Sequence, residues 1–213
     1  MQEELQKKKN KKWYERYYWF FSSNGLLVFA GKNMRNNRTI LKRYCKPEDL
    51  ILSSEINNSP IVVIKTQKIT PIPPETIYEA AELVVNYSEI WKNKIENFPV
   101  FYVKPEQVAV NEKIEIQGEK KFLEKIKPRL SIGIKQENVW NAKLIFGPPT
   151  AVKSQTPYML TIIPGEIPAE NLAGEIKKLL LQKVAPEIYQ QTEAMELKEI
   201  QKIIPFGKAD LVR

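Results

Sequence analysis

The sequence predicts a mixed α/β (α+β) fold, a sheet packed against helices, on three observations. Short apolar runs alternate with longer segments of helical period. The runs are punctuated by turn residues: Leu26–Ala30 lies between Gly25 and Gly31, and Phe98–Val103 stops at Lys104-Pro105. Between them, Ile77, Ala80, Ala81, Val84, Val85, Ser88 and Trp91 recur at the spacing of one helix face. Strand order is not legible in such a pattern.

In chain order, Leu5–Phe21 reads as one helix, because Trp13, Tyr17 and Phe20 recur at i, i+4 and i+7. On that reading these three enter the core. Tyr14 and Tyr18 either line its wet border or stand beside Lys11, Lys12 and Arg16 to stack on a base. Ser22-Ser23-Asn24-Gly25 is a turn signal, since Asn and Gly tolerate a left-handed backbone. Asn33–Tyr44 returns to helix, with Met34, Ile40, Leu41 and Tyr44 apolar. Leu50–Leu52 and Ile61–Ile64 are strands. The expected sheet therefore contains 26–30, 50–54, 60–65 and 98–103, packed by helices near 32–44 and 75–94. Pro71, Pro73 and Pro74 keep Lys65–Pro74 an extended connector. Ile114–Ile116 is a short strand before Gly118.

Further on, Leu130–Ile134 and Ala142–Phe146 form a hairpin stopped by the rigid turn Gly147-Pro148-Pro149. Tyr158–Ile163 is a strand ended by Pro164-Gly165. Leu172–Val184 is a helix capped near Asn171, and Ala194–Ile204 a last helix. Charge and rhythm change near residue 130. The expected division is 1–129 and a carboxy-terminal α/β extension, 130–213, either separate or part of the same domain.

Composition excludes several chemistries. There is no histidine and one cysteine, Cys45, so an intrachain disulfide, a histidine triad and an ordinary zinc site are ruled out. No apolar run approaches the roughly 18 residues of a membrane helix. The start, MQEELQKKKN, shows no export signal, so the expected location is cytoplasmic. Neither GxGxxG nor GxxxxGK[ST] occurs. Pro60–Lys65, PIVVIK, has the form of a kinase strand lysine, but the glycine-rich, HRD and DFG loops are missing. Glu175-Ile176-Lys177 has a nuclease-like spacing inside a predicted helix without a partner acid. Glu55 and Glu75 are the only early acids near the basic face. The expectation is a noncatalytic protein without cofactor or metal.

Charge is localised. Residues 1–46 hold 12 Lys or Arg against 3 Glu, a net +9, whereas 131–213 hold 10 against 9, a net +1. Such an excess suits phosphate neutralisation. The expected contact residues are Lys32, Arg35, Arg38, Lys42 and Arg43, helped by Lys11, Lys12, Arg16, Lys120 and Lys121. Arg35, Arg38 and Lys42 fall at i, i+3 and i+7, on one helix face. The plainer alternative is a solvated face with Arg43 paired to Glu48.

Several segments carry a resemblance: 13–33 (WYERYYWFFSSNGLLVFAGKN), 42–55 (KRYCKPEDLILSSE), 60–65 (PIVVIK), the 72–94 helix, 100–108 (VFYVKPEQV) and 116–123 (IQGEKKFL). Together they resemble the RNA-binding domain of the NFACT family, which includes nuclear export mediator factor and fibronectin-binding-like bacterial relatives. Gly147-Pro148-Pro149 and Ile204-Pro205-Phe206-Gly207 resemble features of its archaeal branch. The match covers about residues 13–125 well and the rest more loosely. Where the family has an Asp-Leu-His-Gly-like loop, this chain has Glu55-Ile56-Asn57-Asn58-Ser59, and its Gly-Arg/Lys-Asp-Ala turn is Gly31-Lys32-Asn33-Met34. A role resting on the loop histidine does not carry over, whereas distributed basic contacts do. The resemblance implies binding to tRNA or ribosomal RNA, a link to stalled-ribosome quality control, and the large ribosomal subunit as a further partner. With no room for the other family domains, a stand-alone form is expected. The alternative is a protein-interaction or assembly subunit that has lost RNA binding.

Overall fold

The computed structural model describes residues 12–67, 69–138 and 141–212. β1 (Tyr18–Phe21) and β2 (Leu27–Ala30) form a hairpin around Ser22–Gly25, where Gly25 takes a left-handed φ of 79°. There follow α1 (Met34–Arg43), β3 (Leu50–Ser53), β4 (Val62–Lys65), α2 (Pro74–Asn86), α3 (Glu89–Lys92) and β5 (Phe98–Val103). A small hairpin, β6 (Val108–Val110) and β7 (Ile114–Ile116), precedes β8 (Lys121–Ile126). The main sheet has the order β1-β2-β4-β3-β5-β8, antiparallel throughout.

This sheet is covered on both faces, which is why its strands read as unbroken apolar runs. Val28, Leu52, Val62, Ile64 and Val100 point to the side of α2. Their neighbours Leu27, Phe29, Ile51, Val63 and Phe101 point the other way, into a second core that includes Ile40 of α1. The mixed α/β expectation is met, with helices on the sheet as predicted.

The expected 5–21 helix is overturned where the structure describes it; its first turns, through Lys11, lie outside the described residues. Trp13–Arg16 is a single 3-10 turn, and the chain then extends into β1. Tyr18 and Phe20 join the α2 side while Tyr17, Trp19 and Phe21 join the other. Aromatics on alternating residues suit a strand buried on two faces, and pairing with β2 decides between the two periods. The helix expected over 75–94 is broken: Tyr87 leaves helical geometry, and the Ser88 hydroxyl accepts from Ile90 N at 3.4 Å to start α3.

The remaining chain forms β9 (Leu130–Asn138), β10 (Asn141–Gly147), α4 (Pro149–Lys153), β11 (Met159–Pro168), α5 (Ala169–Lys183), α6 (Tyr189–Glu193), α7 (Leu197–Gln201) and β12 (Lys208–Leu211). The sheet order is β10-β9-β11-β12. The β9–β10 hairpin is as expected. Pro164-Gly165 does not end β11: the register shifts there, with Gly165 packed so closely on Asp210 that no side chain fits, and pairing with β12 resumes at Ile167. Helix α5 starts at Ala169 rather than near Asn171. The expected 194–204 helix is only one turn of α7, followed by a turn at Pro205–Gly207 in which Phe206 is left-handed.

One buried cluster runs through both sheets, joining Phe20, Val28 and Leu83 to Ile132, Ile162, Leu172 and Ile176. Polar contacts cross as well: Tyr87 Oη donates to Ile203 O at 2.8 Å, and Trp91 Nε1 to Lys208 O at 3.0 Å. No helix among the described residues is long and apolar enough to cross a membrane.

Candidate nucleic-acid interface

Helix α1 is seated by its inner residues. The Asn33 side chain caps it, accepting from Asn36 N at 2.9 Å. Asn37, buried, accepts from Ile61 N at 3.1 Å, and Ile40 enters the core. Gly31 passes so close to Asn37 that a Cβ there would overlap its amide. Those contacts fix which side faces out.

The outward side is cationic. Arg35, Lys42 and Arg43 are exposed and Arg38 is half-buried. Met34, Arg35, Arg38, Thr39, Lys42 and Arg43 line a shallow groove of about 470 Å³ along the helix. Among the described residues no carboxylate pairs with any of the four cations, and the expected alternative of an Arg43–Glu48 pair is not made. Arg38 Nε is buried without a hydrogen-bond partner, a costly arrangement unless a ligand supplies an acceptor. Lys42 and Arg43 also sit in the last turn, where the helix dipole favours positive charge.

The aromatic cluster brings more cations to one end of α1. The Trp13 ring stacks on Tyr44, just past the helix, and thereby anchors the 3-10 turn there. Arg16 Nε donates to Trp13 O at 3.0 Å, and its guanidinium lies 5.8 Å from the Tyr17 ring centroid. Burial pushes the Tyr17 phenol up and Tyr44 adds to this; Arg16 and Arg43 both pull it down, so both cations stand around that phenol. Lys12 is exposed immediately before the turn, and Lys11 lies outside the described residues. Tyr14 is buried against Trp13, Trp19 and Phe21, and the Tyr18 ring is stacked on Tyr87 at 3.6 Å, so neither offers a free ring to a base.

The other expected residues disperse. Lys120 bonds Glu55 at 2.6 Å and lies 4.8 Å from the Phe101 centroid, on the α1 side of the sheet. Lys121, one residue on, pairs with Tyr102 and lines a cavity on the α2 side, with Glu48, Glu106 and Glu119 among its walls. The two lysines thus face opposite sides of the sheet. Lys32 sits at the amino-terminal end of α1, 5.0 Å from the Tyr18 centroid. Burial lowers its pKa, and the Lys202 ammonium lowers it further. Sequence reasoning missed Lys202 and its neighbour Phe206, both about 170 residues away in the chain. Only folding brings them to Lys32.

Comparison with known proteins bears on the family. Residues 16–119, just under half of the chain, match the NFACT protein RNA binding domain. The archaeal Rqc2 homolog aRqcH of Methanocaldococcus jannaschii is 25% identical over 199 residues, 89% of this chain and 28% of that protein. The ribosome quality control complex subunit NEMF homolog of Drosophila melanogaster is 33% identical over 88 residues, 41% of this chain and 9% of that protein. Ribosome quality control complex subunit 2 of Saccharomyces cerevisiae is 35% identical over 78 residues, 37% and 7% respectively. The chain thus spans less than a third of the length of these relatives. Among solved structures, the carboxy-terminal part of the fibronectin/fibrinogen-binding protein from Streptococcus suis aligns over 60% of this chain and 55% of that one, at 18% identity and a TM-score of 0.46. From the family match and these relatives, the chain carries an NFACT RNA-binding domain homologous to that of the Rqc2 and NEMF ribosome quality-control proteins.

Proposed function

We propose that this protein is a noncatalytic RNA-binding module acting in ribosome quality control, with tRNA or ribosomal RNA as its ligand. The observation that carries the reading is the outer face of α1, where Arg35, Arg38, Lys42 and Arg43 stand without a carboxylate among the described residues. Lys12 and Arg16 extend the patch at the Trp13–Tyr44 end. Arg35, Arg38 and Lys42 span about 10 Å of helix, at 1.5 Å per residue, so they meet successive phosphates rather than one. Lys120, neutralised by Glu55, contributes less, and Lys121 faces away from the patch. In this reading 1–129 carries the RNA surface, and the 130–213 extension buttresses the sheet behind it. The test is a titration of tRNA and of a ribosomal RNA fragment at several salt concentrations. Log affinity should fall linearly with log salt, by about 0.7–0.9 for each phosphate neutralised. An affinity indifferent to salt would overturn the proposal.

A further inference from the structure

At the amino-terminal end of α1 a cavity of about 440 Å³ opens between the Gly31–Met34 turn, Asn58–Pro60 and the Pro205–Gly207 turn. That volume lies within the range of small-ligand pockets. Phe206 stands on its wall, 51% exposed, with no ring partner among the described residues. Its backbone is left-handed, φ 52°, a conformation that side chains with a Cβ rarely adopt. The turn is nevertheless firmly held: Pro205 is buried, and Tyr87 Oη donates to Ile203 O just before it.

Lys32 also lines the cavity, and Lys202, which is not among its walls, adds positive potential there. Lys32 has no carboxylate partner among the described residues; Glu89, also on the wall, is paired with Lys92 at 3.2 Å. The Tyr18 ring behind Lys32 is backed by Tyr87. The cleft thus offers one free aromatic face, Phe206, and one cation, Lys32, that no carboxylate among the described residues pairs. An apolar ligand would not need the cation, and a free phosphate would not need the ring. Met34, 52% exposed, lines both this cavity and the groove along α1, so one strand could pass from Arg35 to Lys32.

We propose that this cleft holds a single unpaired nucleotide of the bound RNA, its base against the Phe206 ring and its phosphate beside Lys32. The inference rests on the RNA-binding reading of α1. It is tested with two RNA hairpins that are identical except for one bulged nucleotide, titrated by fluorescence anisotropy. The wild type should prefer the bulged hairpin about tenfold, a typical effect of stacking one base. Phe206→Ala should bring the two affinities together while leaving the fully paired hairpin and its salt slope unchanged, and Phe206→Trp should keep the preference. Lys32→Gln should weaken the bulged hairpin more than the paired one. The triple variant Arg35→Gln, Arg38→Gln, Lys42→Gln should weaken both hairpins and preserve their ratio. A wild type that binds both hairpins equally, or a Phe206→Ala variant that keeps the preference, overturns the cleft and leaves the α1 reading standing. A wild type that binds neither hairpin overturns both.

Discussion

The Trp13 ring lies flat on Tyr44, with centroids 4.3 Å apart and planes 2° from parallel. This contact joins the start of the described chain to the carboxy-terminal end of α1, with Arg16 over the Tyr17 ring. Trp13→Ala should destabilise the fold by about 2–4 kcal/mol in urea unfolding, less than a fully buried Trp would cost at the upper limit. A double-mutant cycle with Tyr44→Ala should give a coupling of about 0.5–1.5 kcal/mol. Additive losses would show that the stack does not join the two elements.

Gly31 is a second constraint on α1. Because Asn37 fills the space a Cβ would need, Gly31→Ala should displace the helix and destabilise by about 1–3 kcal/mol. Asn37→Ala, which leaves Ile61 N without its acceptor, should cost about 1–3 kcal/mol. Thermal melts of both variants check the pair; wild-type stability in either would contradict the seating described here.

The expected helices over 5–21 and 75–94 failed for the same physical reason: local period does not fix tertiary partners. Trp13, Tyr17 and Phe20 fit a helical repeat, yet Tyr17–Phe21 equally alternate, and pairing of Tyr18–Phe21 with Leu27–Ala30 settles the matter. In 75–94 the apolar spacing continues through Ser88, which caps a new turn instead of prolonging the old helix. By contrast, 26–30, 50–52, 61–64 and 98–103 were legible because each is a short apolar run closed by glycine, proline or polar residues. The cationic side of α1 was legible from spacing alone. Its aromatic anchor at Tyr44 and the approach of Lys202 and Phe206 to Lys32 were not, since each depends on contacts between distant segments.

Phe20 tests how the two sheets are joined. It is 3% exposed, and Gly147 of β10 packs against it so tightly that an added Cβ would lie 3.1 Å from its ring. Phe20→Ala should cost about 3–5 kcal/mol. Signals from both halves of the chain should shift together in one transition. Separate transitions for 12–129 and 130–212 would show that the shared core does not couple them.

Glu82 makes stability depend on pH. Burial pushes its carboxyl up to about 7, Arg129 opposes this through a 2.7 Å hydrogen bond, and Glu79 adds to it. The folded value lies above the ordinary 4.5, so the folded state holds the proton more tightly. Its contribution to stability is therefore full below about pH 4.5, declines as pH rises, and is gone above about 7. The loss across that window is on the order of 3 kcal/mol. Glu82→Gln keeps an acceptor for Arg129 and removes the titration, so urea midpoints between pH 4.5 and 8 should fall less steeply than in the wild type. An equal decline in the variant would assign the effect elsewhere.

The most direct test of RNA binding by α1 is the salt dependence of the folded triple variant Arg35→Gln, Arg38→Gln, Lys42→Gln with tRNA and a ribosomal RNA fragment. Three lost phosphate contacts should weaken both RNAs alike and reduce the slope of log affinity against log salt by about 2–3. An unchanged affinity and slope in that variant would contradict the assignment of this face.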